Sequence, residues 1–123
     1  MGFTASITAL IGRRTALTPD VLARYPELER VTWRRGGIPV ILAGWFLGKR
    51  SAAAITLWRT VFIASDAFVD VELLLHEFRH VQQFESRVSF PLQYVWESAR
   101  RGYFDNRFEV DAREYAAQRV RGG

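Results

Sequence analysis

Val71-Glu72-Leu73-Leu74-Leu75-His76-Glu77-Phe78-Arg79-His80-Val81 is the stretch that decides how this chain is read. Apolar residues cover most of the circumference of the helix it predicts, so that helix is buried. Ser65 or Asp66 can cap it, and the pattern runs to about Glu85, with Asp70 and Glu72 near the positive end. Into this apolar helix the chain sets its only two histidines, four residues apart, with Glu77 directly after the first. Positions i and i+4 lie about 40° apart around the axis and one turn along it, so both imidazoles reach one point. Glu77 is turned about 100° from His76, close enough to address a water at that point without ligating there. Left unpartnered on an apolar helix, such groups cost on the order of several kcal/mol. A metal ion supplies the missing partner.

Working outward, Pro91 opens a further helix to about Arg101, ended by Gly102, and Asp105 or Asn106 caps a last helix through Arg119. Upstream, Thr18 and Pro19 begin a short helix carrying Val21 to Tyr25, which stops before Pro26. Leu28 to Arg35 alternates apolar and polar residues and reads as a strand ended by Gly36-Gly37. Ile38 to Ala54 fits an apolar loop or a short helix. Ile55 to Ala64, rich in β-branched and aromatic residues, reads as one strand. The expected fold is α+β: one domain over residues 1–123, with a helix and strands in 1–64 and metal-site helices in 65–121. The helices pack on one face of a small antiparallel sheet.

The composition narrows the chemistry. Of 123 residues, 49% are hydrophobic and 24% charged, which excludes disorder; there is no cysteine, which excludes thiol catalysis, disulfides and sulfur-ligated zinc. The net charge of +4 comes from Lys49 and sixteen arginines, scattered in pairs such as Arg13-Arg14 and Arg100-Arg101. No block of like charge marks a nucleic-acid tail, and the arginines read as a solvated surface. The N-terminal MGFTASITALIG has its arginines after the apolar stretch, the wrong order for a secretory signal. Gly36 to Gly48 is apolar but too short to span a bilayer and contains Pro39. The expectation is a soluble, cytoplasmic protein, with Ile38 to Leu47 as a candidate hydrophobic or membrane contact.

Two histidines do not complete a metal site, because catalytic zinc usually keeps three protein ligands and one open position. With no further histidine and no cysteine, the third must be a carboxylate. Asp105, Glu109, Asp111 and Glu114 cluster around the last helix, whose inward face is set by Phe108, Ala112, Tyr115, Ala116 and Val120. On its wheel Glu109 lies about 50° from the middle of that face, Asp111 about 110° and Glu114 about 170°. Glu109 is therefore the predicted third ligand.

His76-Glu77-x-x-His80 followed by Glu109 resembles the gluzincin branch of the zincin metallopeptidases. Asn106-Arg107-Phe108-Glu109-Val110-Asp111-Ala112 is similar to the N-x-x-E-x-[DE]-A segment of small bacterial zincin-like domains, and Ile55 to Ala64 to their active-site edge strand. The resemblance covers roughly Ala53 to Gln118. It implies a single-domain mini-zincin with one zinc ion on His76, His80 and Glu109, Glu77 as general base, and hydrolysis of a peptide or protein substrate. Many gluzincins carry an aspartate four residues after the third ligand to orient a histidine. Here that position is Arg113, so Asp111, or Asp70, would have to serve.

An oxyanion donor is also expected. Tyr94, Tyr103 and Tyr115 are candidates, with Tyr103 preferred because it closely precedes the third-ligand helix. An extended peptide can add to the strand edge between Thr56 and Ile63, with Trp58 or Phe62 able to line a pocket. The alternative is a zinc-binding domain that is latent or non-catalytic and acts as a regulatory or partner-binding module. A basic domain acting on DNA-bound proteins is a third reading, supported only by the scattered arginines.

Overall fold

Thr18 begins the first helix as its chemistry predicts, its hydroxyl accepting from the Val21 N–H at 3.4 Å. The computed structural model describes residues 12–37, 39 and 53–122. In it, strand β1 (Arg13–Arg14) precedes helix α1 (Pro19–Arg24). The helix ends one residue earlier than the sequence suggests, because Pro26 forces Tyr25 out of the helical region, to φ −132° and ψ 69°.

The strand expected over Leu28 to Arg35 is only half a strand. Pro26–Arg30 forms a 3₁₀ turn, and β2 is confined to Thr32–Arg35. With three residues per turn, Leu28 and Val31 fall on one face of the 3₁₀ segment and both enter the core. Trp33 closes the turn by donating its indole N–H to the Leu28 carbonyl at 3.0 Å.

The single strand expected over Ile55 to Ala64 is a hairpin, β3 (Ala54–Leu57) and β4 (Thr60–Ile63). Its turn is Trp58-Arg59, with Trp58 at φ 55°. A bulky residue in the left-handed region costs about 1–2 kcal/mol. The Trp58 ring packs on Phe84, with centroids 5.2 Å apart, which helps to hold it there. No glycine or asparagine announces this turn, so the sequence reads straight through it.

The sheet order is β1-β2-β4-β3, and the sheet is mixed, not antiparallel as expected. β1 and β3 pair antiparallel with their neighbours, whereas β2 and β4 run parallel, with Thr32 opposite Thr60 and Arg35 opposite Ile63. The chain passes β3 to the outside before turning back, so β4 returns beside β2 in the same direction.

Helix α2 (Val71–Ser86) starts at Asp70, not at Ser65 or Asp66: the Asp70 carboxylate accepts from the Leu73 N–H at 2.8 Å. The residues before it form a turn tied down by Arg35, whose Nη1 donates to the carbonyls of Ala64, Ser65 and Ala67. Helix α3 (Phe90–Asp105) is interrupted at Gly102, which takes φ 79°. Helix α4 (Arg107–Gly122) follows Asn106, whose side-chain oxygen accepts from the Phe108 N–H at 2.9 Å. Asn106 is fully buried and also donates to Ser98 Oγ and the Tyr94 carbonyl, locking α3 to the start of α4.

Helix α2 lies between the sheet and α4. Leu74, Leu75, Phe78 and Val81 join Leu28, Trp33, Val61 and Ile63 in one core, and Ala116 lets α4 approach closely. The described residues thus form one α+β unit, in which β3 is an edge strand beside α2. No helix among them is long and apolar enough to cross a membrane. The N-terminal MGFTASITALI and the apolar segment Ile38 to Leu47, except Pro39, lie outside the described residues.

Candidate metal centre

The buried face of α2 brings His76 and His80 to one carboxylate. Glu109 Oε1 lies 2.9 Å from His76 Nε2 and 3.2 Å from His80 Nε2. The two rings stand at 78° with centroids 5.0 Å apart. One donor atom from each of the three residues lies within 4.8 Å of the other two. Tetrahedral ligands about 2 Å from a zinc ion are themselves about 3.3 Å apart, so small side-chain movements suffice to admit a cation. Glu109 is only 2% exposed, and a buried carboxylate facing two imidazoles is a donor set that could hold a divalent metal ion.

The electrostatics also favour positive charge here. Burial alone lowers the pKa of His80, but the hydrogen bond and charge of Glu109, aided by Glu77 and Gln83, override it and raise it to about 9. Burial pushes the Glu109 carboxyl up, yet the hydrogen bonds from His76 and His80 prevail and hold it well below the usual carboxylate range. Tyr94 donates its hydroxyl to Glu109 Oε2, and burial followed by the Glu109 charge keeps that phenol protonated far above its ordinary range.

Glu77 stands beside the triad but outside it. Its Oε2 is 3.9 Å from His76 Nε2, and its Oε1 accepts from Thr56 Oγ1 at 3.1 Å. Thr56 belongs to edge strand β3, so the sheet and not the helix fixes this carboxylate. A cleft of about 250 Å³ opens over the pair, lined by Ala53, Ala54, Asp70, Glu72, Leu73, His76, Glu77 and Tyr103. Burial and the charges of Glu109 and Glu77 raise the Tyr103 phenol above its ordinary value.

A second layer holds the ligands in place. Gln83 Oε1 lies 2.7 Å from His80 Nδ1. An amide oxygen only accepts, so Nδ1 carries a proton, and Nε2, which here donates to Glu109, is the nitrogen that would ligate once a metal displaces its proton. The Gln83 amide nitrogen donates to the Phe108 carbonyl and to Asp111 Oδ2, both at 3.0 Å. Arg79 grips Asp111 through Nε at 2.8 Å and Nη2 at 3.3 Å. Asp111 thus reaches His80 through Gln83. Asp70, the other aspartate considered for that support, caps α2 instead. Arg113 donates to the Phe104 carbonyl and lies over the Phe104 ring.

The remaining candidates are also located. Tyr115 packs against Phe78 and under Arg79, away from the residues lining the cleft. Asp105 and Glu114 are exposed. Trp58 is exposed at the hairpin turn, and Phe62 is buried in the sheet. Gln83 and Thr56 went unnoticed in the sequence. Gln83 carried a usable signal, lying at i+3 from His80 on the same helix face, whereas nothing in the spacing of Thr56 points to Glu77.

No protein-family model matches the chain, and comparisons with curated proteins and with solved structures find no match.

Proposed function

We propose that this chain is a zinc-dependent peptidase of the zincin type, with His76, His80 and Glu109 as ligands of one zinc ion and Glu77 as general base. The observation that carries the reading is the convergence of three metal-type donors on one buried point, with a fourth, non-ligating carboxylate on the wall of an open cleft. When bound, zinc supplies a water of lowered pKa and a Lewis acid for the carbonyl oxygen. Glu77 then takes the proton from the attacking water and returns it to the leaving amine. Its burial and its hydrogen bond from Thr56 support that role by limiting where the carboxylate can point. Tyr103, on the cleft wall, donates to the developing oxyanion. An extended peptide adds along β3, the strand that borders the cleft through Ala54.

The test is Glu77→Gln, which keeps size and polarity but cannot accept the proton. The variant is expected to retain its zinc and its fold while hydrolysis of a mixed peptide library falls by about 10²-fold or more. Equal cleavage by both forms would remove the peptidase assignment. A latent or partner-binding zinc domain is the second reading. The small cleft over the site, about 250 Å³, gives a substrate little room. A wild-type protein that holds a full zinc and cleaves nothing in the library is the outcome this second reading predicts.

A further inference from the structure

A second cleft, of about 420 Å³, opens between the C-terminal half of α2 and the first turn of α4. Three arginines line it: Arg79, Arg87 and Arg107. Arg87 Nη1 and Arg107 Nη2 donate to the same atom, Gln93 Oε1, at 3.0 and 3.1 Å. Two like charges are thereby drawn together on one neutral oxygen, which does not offset their repulsion. Arg107 also pairs with Glu97 at 3.8 Å, but that carboxylate is shared with Arg101 at 3.6 Å and so offsets its charge only in part. The one carboxylate in the cleft wall, Asp111, is already gripped by Arg79 and bonded by Gln83. The wall therefore carries more positive than negative charge, and its cations are accessible: the Arg107 and Arg79 side chains are 52% and 34% exposed.

We propose that this cleft binds a phosphate-class dianion, either free phosphate or a phosphomonoester, between Arg87 and Arg107. Guanidinium groups present paired N–H donors that match phosphate oxygens, and charge-assisted hydrogen bonds are roughly twice as strong as those to a neutral amide. A dianion oxygen displaces Gln93 Oε1 as the shared acceptor and relieves the repulsion at the same time. The start of α4 adds the positive end of its dipole. The inner wall of the cleft, Gln83 and Asp111, backs His80, whereas Arg87 and Arg107 lie outside the His76–His80–Glu109 cluster, and the proposal does not require that cluster to hold a metal.

The experiment is a titration of the full chain with inorganic phosphate at constant ionic strength, followed by NMR of the backbone and arginine side chains. Saturable shifts centred on Arg87, Gln93 and Arg107 are expected. Arg87→Gln with Arg107→Gln should weaken binding about ten-fold or more, whereas Arg100→Gln with Arg121→Gln, which removes the same charge at exposed positions elsewhere, should bind as wild type. Where the double variant fails to fold by circular dichroism, Arg87→Gln alone carries the test. Because phosphate also binds metals, the cleft shifts must persist in His76→Ala. A parallel titration with phenyl phosphate separates the sources: tighter binding than phosphate supports a monoester, and equal binding supports the free anion. Shifts that never saturate, or a folded Arg87→Gln protein that binds as tightly as wild type, would overturn the proposal.

Discussion

Gln83 shows how much of the candidate site rests on a residue that ligates nothing. Its amide oxygen holds the proton on His80 Nδ1 and orients the ring, while its nitrogen ties that histidine to α4 through Phe108 and Asp111. Gln83→Ala is expected to keep the fold and lower zinc affinity by about 10–100-fold, the usual range for partners of this kind. Glu109→Ala removes a proposed ligand and should lower affinity further, to the level of His80→Ala. Asp111→Ala, one hydrogen bond further out, should cost less than Gln83→Ala. Competition with a chromogenic chelator measures all four. Equal affinity in Gln83→Ala and wild type would show that the glutamine does not orient the histidine.

At the scale of elements, α2 matters most, because it carries both histidines and Glu77 and packs on both the sheet and α4. Its first turn is held by Asp70, not by the residues that look like caps further upstream. Asp70→Ala should lower stability by about 1 kcal/mol, the typical loss of an N-cap. Asp66→Ala, at an exposed turn position, should change it by less than ~0.5 kcal/mol. Chemical denaturation midpoints at constant slope decide between them, and the reverse order would move the start of the helix. The hairpin and the 3₁₀ turn escaped the sequence reading for related reasons. A turn at Trp58-Arg59 lacks the usual turn residues, and the alternation of Val31 and Trp33 with polar residues masks the three-residue spacing of Leu28 and Val31 that marks the 3₁₀ turn.

Across the whole molecule, the candidate metal centre joins α2 to α4, so a metal bound there would act as a tertiary cross-link. Zinc at about 100 times its dissociation constant stabilises the folded state by about 2.7 kcal/mol. Chelation should therefore lower the thermal midpoint of wild type by on the order of 10 °C and leave His80→Ala unmoved, as followed by circular dichroism. A midpoint insensitive to chelation in a zinc-loaded protein would count against the cross-link. The same scale separates what the sequence determined alone from what it did not. The pairing of His76 with His80 is local, because four residues on a helix return nearly to the same face. The inward turn of Glu109 follows equally from the wheel of its own helix. The helix start at Thr18 and the break at Gly102 are local as well, set by one side chain or by the lack of one. The parallel pairing of β2 with β4, the support of Glu77 by Thr56, and the chain from Arg79 through Asp111 and Gln83 to His80 join segments far apart in sequence. No periodicity encodes such contacts. They depend on which faces the core brings together and on the path the chain takes between strands, and only the tertiary structure decides that.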